Sequence, residues 1–343
     1  MKRLDVKSLL RFRSVSKAWK SLIDSPNFVA IYGIDHIRMH RILVPYLKAP
    51  TSAYMSFVDH DDTFLFDQTN VHVLPREHNM CSVRILGSSH GLFCLECTYI
   101  NRNNTEGMYL IWNPSIRKSV RIVFPTNSFS RVYFGVCPFT LDPKLVKITI
   151  GSLKWLVEIY TLSSGSWRKI YNNLPRGTIE ICWYTAIVVT NRIIYWDATD
   201  SAVAASRYIV SFDLTSEEFK LTEIPNFIAH HKYDISKLKH SLVFLKYSET
   251  EKVVCEVWMM MNNGVSKTFT KLYNIAPSNL LPHGVMGFTK RGTPIIKMRH
   301  DCEPDGLYVF EPTSERVTKI DLDRAGNYFK FYNYYETLLL HDC

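Results

Sequence analysis

Hydrophobic residues recur with a helical period at the start of the chain and with a strand period further on, which divides the sequence into two parts. Asp5 stands before Val6, Leu9 and Leu10, spaced i, i+3 and i+4, and predicts a capped helix. Ser14 or Ser16 can open a second helix, on which Val15, Ala18, Trp19, Leu22 and Ile23 form one apolar stripe with Lys17 and Lys20 on the far side. Asp24-Ser25-Pro26 ends that helix, because the residue before a proline is steered out of the helical region. Two such short helices cannot bury a stripe containing Trp19 between themselves. The stripe must pack on the following domain or on another protein.

From about residue 40 the pattern becomes short alternating runs bounded by Gly, Pro, Asn and Ser, which predicts a mainly β fold. One hairpin pattern recurs: a strand ends in an aromatic, and a polar turn leads into a second strand. The aromatics are Phe66, Trp112, Tyr160, Phe212, Trp258 and Phe310, spaced 46, 48, 52, 46 and 52 residues apart. Seven residues after four of them stands an apolar residue: Val73, Trp167, Phe219 and Val317. The second copy has Ser119 there, and the fifth has Phe269 four positions later, after a longer turn through Asn262-Asn263-Gly264. A period near 50 with several strands per unit predicts a kelch-like β-propeller of about six degenerate blades. The tail Tyr334–Leu340 is the expected strand that closes the ring on the first blade. An irregular sandwich or barrel of hairpins is the competing architecture.

The formal net charge is +9, which invites a nucleic-acid reading. Seven basic groups and one acid within the first twenty residues account for +6 of it, so the other 323 residues carry only +3. That is a basic helical segment on a near-neutral domain, and nucleic acid is not expected as a partner. No apolar run reaches the roughly 18 residues of a membrane helix, and MKRLDVKSLLRFR has no signal-peptide core. The eight cysteines are accordingly expected as free thiols in a reducing compartment, and the protein as intracellular, in cytoplasm or nucleus.

Candidate chemistry is sparse. Cys94 and Cys97, with His90 nearby, are the best metal-like cluster, but residues three apart in a strand point to opposite faces. His230-His231 and Asp59-His60-Asp61-Asp62 read as solvated loops, and neither a Gly-x-Ser-x-Gly elbow nor a glycine-rich phosphate loop occurs. No cofactor or metal is expected.

Val6-Lys-Ser-Leu-Leu-Arg-Phe-Arg-Ser-Val-Ser-Lys-Ala-Trp19-Lys-Ser-Leu-Ile23 resembles the second half of a plant F-box. His90-Gly-Leu-Phe-Cys-Leu, Ile111-Trp-Asn-Pro-Ser-Ile-Arg-Lys118, Glu158–Ile170 with Ser-Trp-Arg-Lys, Ser211-Phe-Asp-Leu and Val257-Trp-Met-Met…Gly264-Val-Ser resemble the F-box-associated domain of S-locus F-box and F-box/kelch proteins. The F-box's opening helix, with its Leu-Pro motif, has no counterpart, and Leu4-Asp5 stands where Leu-Pro is usual. The resemblance implies residues 1–26 as a partial F-box, 27–40 as a linker and 41–343 as the β domain. It implies a non-catalytic substrate-recognition subunit of an SCF-type ubiquitin ligase, bound to a Skp adaptor, and through it to cullin, by Val6, Leu9, Leu10, Val15, Trp19, Leu22 and Ile23. With half of the F-box unmatched, that adaptor contact is expected to be weak.

Two other classes stay open. A propeller enzyme, such as a kelch-type oxidase or a glycan hydrolase, would gather His, Tyr or carboxylate side chains at the ring centre. A truncated F-box protein would bind a partner without assembling a ligase. Neither the target nor the loops that hold it can be read from the residues, although Asp59–Asp62, Asn101–Glu106, Thr199–Ser206 and Met261–Ser266 are candidates by position.

Overall fold

A computed structural model of the chain describes residues 4–36, 41–48, 51–59, 66–73, 80–101, 104–123, 130–151, 154–182, 187–190, 192–203, 206–248, 255–263, 266–277, 281–299, 306–320 and 332–340. Three helices come first: α1 (Val6–Val15), α2 (Lys17–Ile23) and α3 (Pro26–His36). The Asp5 carboxylate caps α1 by accepting the Ser8 N–H. Ser16 adopts an extended backbone, breaks the helix, and caps α2 through its hydroxyl. The third helix occupies most of the stretch expected as a linker. Pro26 both ends α2 and opens α3, since the first helical position needs no N–H donor. The Ser25 hydroxyl accepts the Phe28 N–H in front of it.

The described strands form six antiparallel sheets. Five use consecutive stretches of chain, beginning at Met80, Ser130, Ile179, Lys232 and Leu281. The first sheet joins Arg41–Lys48, Thr51–Asp59 and Phe66–Val73 to Tyr332–Tyr334, which pairs Arg41 with Tyr334 and Leu43 with Tyr332. Closure therefore comes from late in the chain as expected, but by a strand that ends where the expected one begins. Thr337–Leu340 does other work, described below.

One cavity of about 310 Å³ touches all six sheets, lined by residues of Met80–Ser89, Ser130–Val136, Val188–Val189, Lys232–Leu238, Leu281–Phe288 and Tyr332–Tyr334. These are the inner strands of a β-propeller. Period-2 alternation on each strand then supplies the packing between neighbouring sheets. In Leu92–Asn101, Leu92 and Cys94 pack toward the third sheet, while Phe93, Leu95 and Cys97 pack toward the first. The two thiols thus face opposite ways, as their spacing dictates.

The recurrent hairpin has a geometric cause. Trp112 pairs with Ser119, Tyr160 with Trp167, Phe212 with Phe219, and Phe310 with Val317 across antiparallel strands. Five residues after each aromatic the backbone has positive φ: Arg117 at 57°, Gly165 at 62°, Glu217 at 58° and Glu315 at 53°. The same left-handed turn fixes the same seven-residue interval. In the fifth sheet Phe269 pairs instead with Met260, beyond a register shift at Val257/Trp258. The first copy does not belong to the series: Phe66 and Val73 are the two ends of one strand, opposite Asp59 and Ala53.

Candidate functional site

The helices carry two apolar faces. The inner one buries Val6, Leu9, Ile23, Phe28, Val29 and Tyr32 around Leu338, with Leu10 partly buried against it and Ile116, Leu141 and Leu339 supplied by the β domain. The Tyr32 hydroxyl donates to the Leu4 carbonyl, and the Glu336 carboxylate accepts the Val6 N–H at 3.2 Å. Arg13 grips Asp24 through both carboxylate oxygens, at 2.5 and 2.9 Å, and locks the end of α1 to the end of α2. A bidentate pair of this kind fixes geometry as well as adding energy.

The outer face is exposed. Phe12 is 40% accessible, Val15 71% and Leu22 47%, while Trp19 is half-buried. Phe12 and Val15 share one side of α1, Trp19 and Leu22 one side of α2, and the Phe12 and Trp19 rings meet at 5.7 Å between centroids. The four form one apolar patch, with Lys7, Arg11, Lys17 and Lys20 exposed on the same two helices. An exposed cluster of large apolar residues on a short, well-seated helical pair is a candidate interaction surface.

The residues expected to dock a partner therefore separate. Val15, Trp19 and Leu22 stand on the outer face, whereas Val6, Leu9 and Ile23 are sealed inside and Leu10 lies largely with them. The expectation placed all seven on one surface because it did not foresee α3, which takes up one side of each helix. Phe12 was missed. It sits i+3 from Leu9 and i−3 from Val15, and that spacing was the available signal.

The Ile111–Lys118 motif has a structural role. Asn113 is fully buried, and its amide nitrogen donates to the carbonyls of Thr337 at 2.9 Å and Leu339 at 2.7 Å. Its amide oxygen accepts the Ser115 N–H, while Ser115 Oγ accepts the Thr337 N–H and bonds the Tyr334 hydroxyl. This grip holds Thr337–Leu340 over the second sheet, where Leu338 can enter the helical core. Gly91, with φ of 76°, follows His90 in a two-residue turn beneath the same tail, and a Cβ there would lie 2.3 Å from the Tyr335 carbonyl oxygen.

At the cavity, burial holds the His90 imidazole near pKa 4, with the Lys237 charge pushing the same way. Burial alone lowers the Lys237 ammonium to about 8. No aspartate or glutamate is among the described lining residues. His230 and His231 are exposed at the end of a one-turn helix, as expected of a solvated loop. Of the four candidate target loops, residues 60–62, 102–103, 204–205 and 264–265 lie outside the described residues.

The sequence model of the F-box associated beta propeller domain matches residues 42–342, and that of the F-box domain matches residues 1–30. An F-box is thus present at the N-terminus, and its match runs past residue 26 into α3. Three Arabidopsis thaliana proteins designated F-box proteins align over most of the chain. One is 25% identical across 81% of this chain and 68% of its own length, and another is 19% identical across 98% and 74%. The third, an F-box/kelch-repeat protein, is 26% identical across 80% and 76%. Among solved structures, TolB from Acinetobacter baumannii superposes with a TM-score of 0.48 at 9% identity, covering 90% of this chain and 71% of that one. The β-propeller domain of the Trilobed protease from Pyrococcus furiosus gives 0.41 at 11% identity, over 76% and 94%. Those two likenesses carry no functional argument.

Proposed function

The chain belongs to the F-box-associated β-propeller family, and from that premise we propose that it is a non-catalytic substrate receptor of an SCF-type ubiquitin ligase, acting inside the cell in cytoplasm or nucleus. In this reading the outer face of α1 and α2 docks a Skp-type adaptor, which joins it to cullin, and a six-sheet kelch-like ring holds an unidentified target protein. The observation that carries it is the exposed patch of Phe12, Val15, Trp19 and Leu22, on helices seated so firmly that they present it as a rigid surface. The neighbouring lysines and Arg11 favour a partner face with an apolar centre and acidic surroundings.

Calorimetry of the full chain with purified plant Skp-type adaptor tests this. Leu22→Asp places a charge in the patch without touching the helical core. It should weaken binding at least tenfold and leave the unfolding midpoint unchanged. Trp19→Ala should also weaken binding, since a central aromatic anchor is commonly worth about 2 kcal/mol or more. Wild-type affinity in both variants would refute adaptor docking through this face.

A further inference from the structure

The cavity at the ring centre lies toward the C-terminal ends of the inner strands, where residues 86–90, 187–190, 235–237, 286–288 and Tyr335 converge. One wall carries Lys237. By accessible surface it is half-buried, yet protein surrounds its ammonium closely enough to depress its pKa. Among the described residues it has no ion-pair partner, and no described carboxylate reaches the cavity. A desolvated, uncompensated cation is costly, and folded proteins normally pair it.

Further polar groups share the cavity. His90 is neutral at pH 7, and its Nδ1 lies 3.0 Å from Ser89 Oγ, which already accepts the Val136 N–H. With the Ser89 hydroxyl donating to Nδ1, the imidazole proton sits on Nε2 as a second donor. Ser236 and the Asn333 amide add hydrogen-bonding capacity. Ser88 and Thr190 also line it, and the larger remaining side chains are apolar or aromatic, including Phe134, Ile187, Met286 and Phe288. We propose that this cavity binds a small monoanion, a carboxylate on an apolar body, with Lys237 as its counter-ion and the aromatic walls enclosing the body. One lysine, with no arginine fork among the described lining residues, suits a single negative charge better than a phosphate. The volume, at the lower end for ligand sites, suits a free aryl or alkyl acid, or the carboxylate end of a peptide inserted into the ring. The site stands independently of adaptor docking by the helices.

The test uses the full chain with two pairs of probes, 3-phenylpropionate with 3-phenylpropionamide, and a hexapeptide ending in phenylalanine with its C-terminal amide. Binding is read by titration calorimetry and ligand-observed NMR at pH 7. At least one acid should bind, and its amide should bind at least tenfold more weakly. Which acid binds tighter identifies the source. Lys237→Met should reduce acid binding at least tenfold, and the acid–amide comparison on the wild-type chain stands even if that variant misfolds. Equal binding of acid and amide, binding of neither acid, unchanged affinity in a folded Lys237→Met, or displacement by an equal concentration of inorganic phosphate would overturn the proposal.

Discussion

Replacing Asn113 with Asp alters three atoms' worth of chemistry and leaves the shape intact, so it isolates what the buried carboxamide contributes. The amide nitrogen gives hydrogen bonds to two carbonyls of the C-terminal tail, and the variant sets a carboxylate oxygen against the same two oxygens. Each lost bond costs about 1 kcal/mol net, and each carbonyl left unsatisfied adds about 1–3 kcal/mol. With the low end applied to Leu339, whose bond is partly buried, the total is about 4–6 kcal/mol, a large share of an ordinary domain's stability. The new carboxyl is best accommodated protonated, so its folded-state pKa is raised above the unfolded one. The variant should then be least stable at neutral pH and should recover as pH falls from its raised folded-state pKa toward the usual carboxylate value. Urea unfolding at pH 7 and pH 4, with hydrogen exchange over Thr337–Leu340, reads both effects. A neutral-pH midpoint within about 1 kcal/mol of wild type, or the same deficit at both pH values, would refute the role assigned to Asn113.

Other outcomes follow from the same geometry. Gly91→Ala should destabilise by more than the roughly 1–2 kcal/mol of a left-handed backbone penalty, because its Cβ also strikes the Tyr335 carbonyl; urea midpoints measure it. Trp112→Ala, at a position 3% accessible against Phe93, should cost about 3–5 kcal/mol and lower soluble yield. Trp258→Ala should cost less, since that ring is half-buried against Phe227 and Lys271. Burial alone would raise the Glu256 carboxyl, yet hydrogen bonds from Lys271, Trp258 and Lys246 hold it near pKa 2. Its stabilisation is present above the unfolded carboxylate pKa and is lost as pH falls toward 2, so Glu256→Gln should flatten the acid limb of a stability–pH curve. Circular dichroism should show β structure with about a tenth of the chain helical, mostly in α1 to α3.

The fold class was legible because strand alternation and a repeat near 50 residues are local signals, and the hairpins proved to be cross-strand pairs set by one turn type. Phe66 misled because an aromatic followed seven residues later by an apolar residue also describes a single strand seen end to end. Ser25-Pro26 was read only as a stop, although the same two residues cap and open α3. Overlooking that helix led to seven residues on one docking face where the structure exposes Val15, Trp19 and Leu22. The cavity was not legible at all. Lys237 and His90 are 147 positions apart, and only the ring brings them to one space.

The bond from Val6 to Glu336 spans 330 positions and binds α1 to a segment of chain made much later. At roughly 5–20 residues per second, ribosomal synthesis separates the two by tens of seconds. Through that interval α1 and α2 exist without Leu338, and the first sheet without its inner strand. The helices thus acquire their rigid seat only once the ring shuts, so a partner that reads their outer face also reads whether the ring has closed.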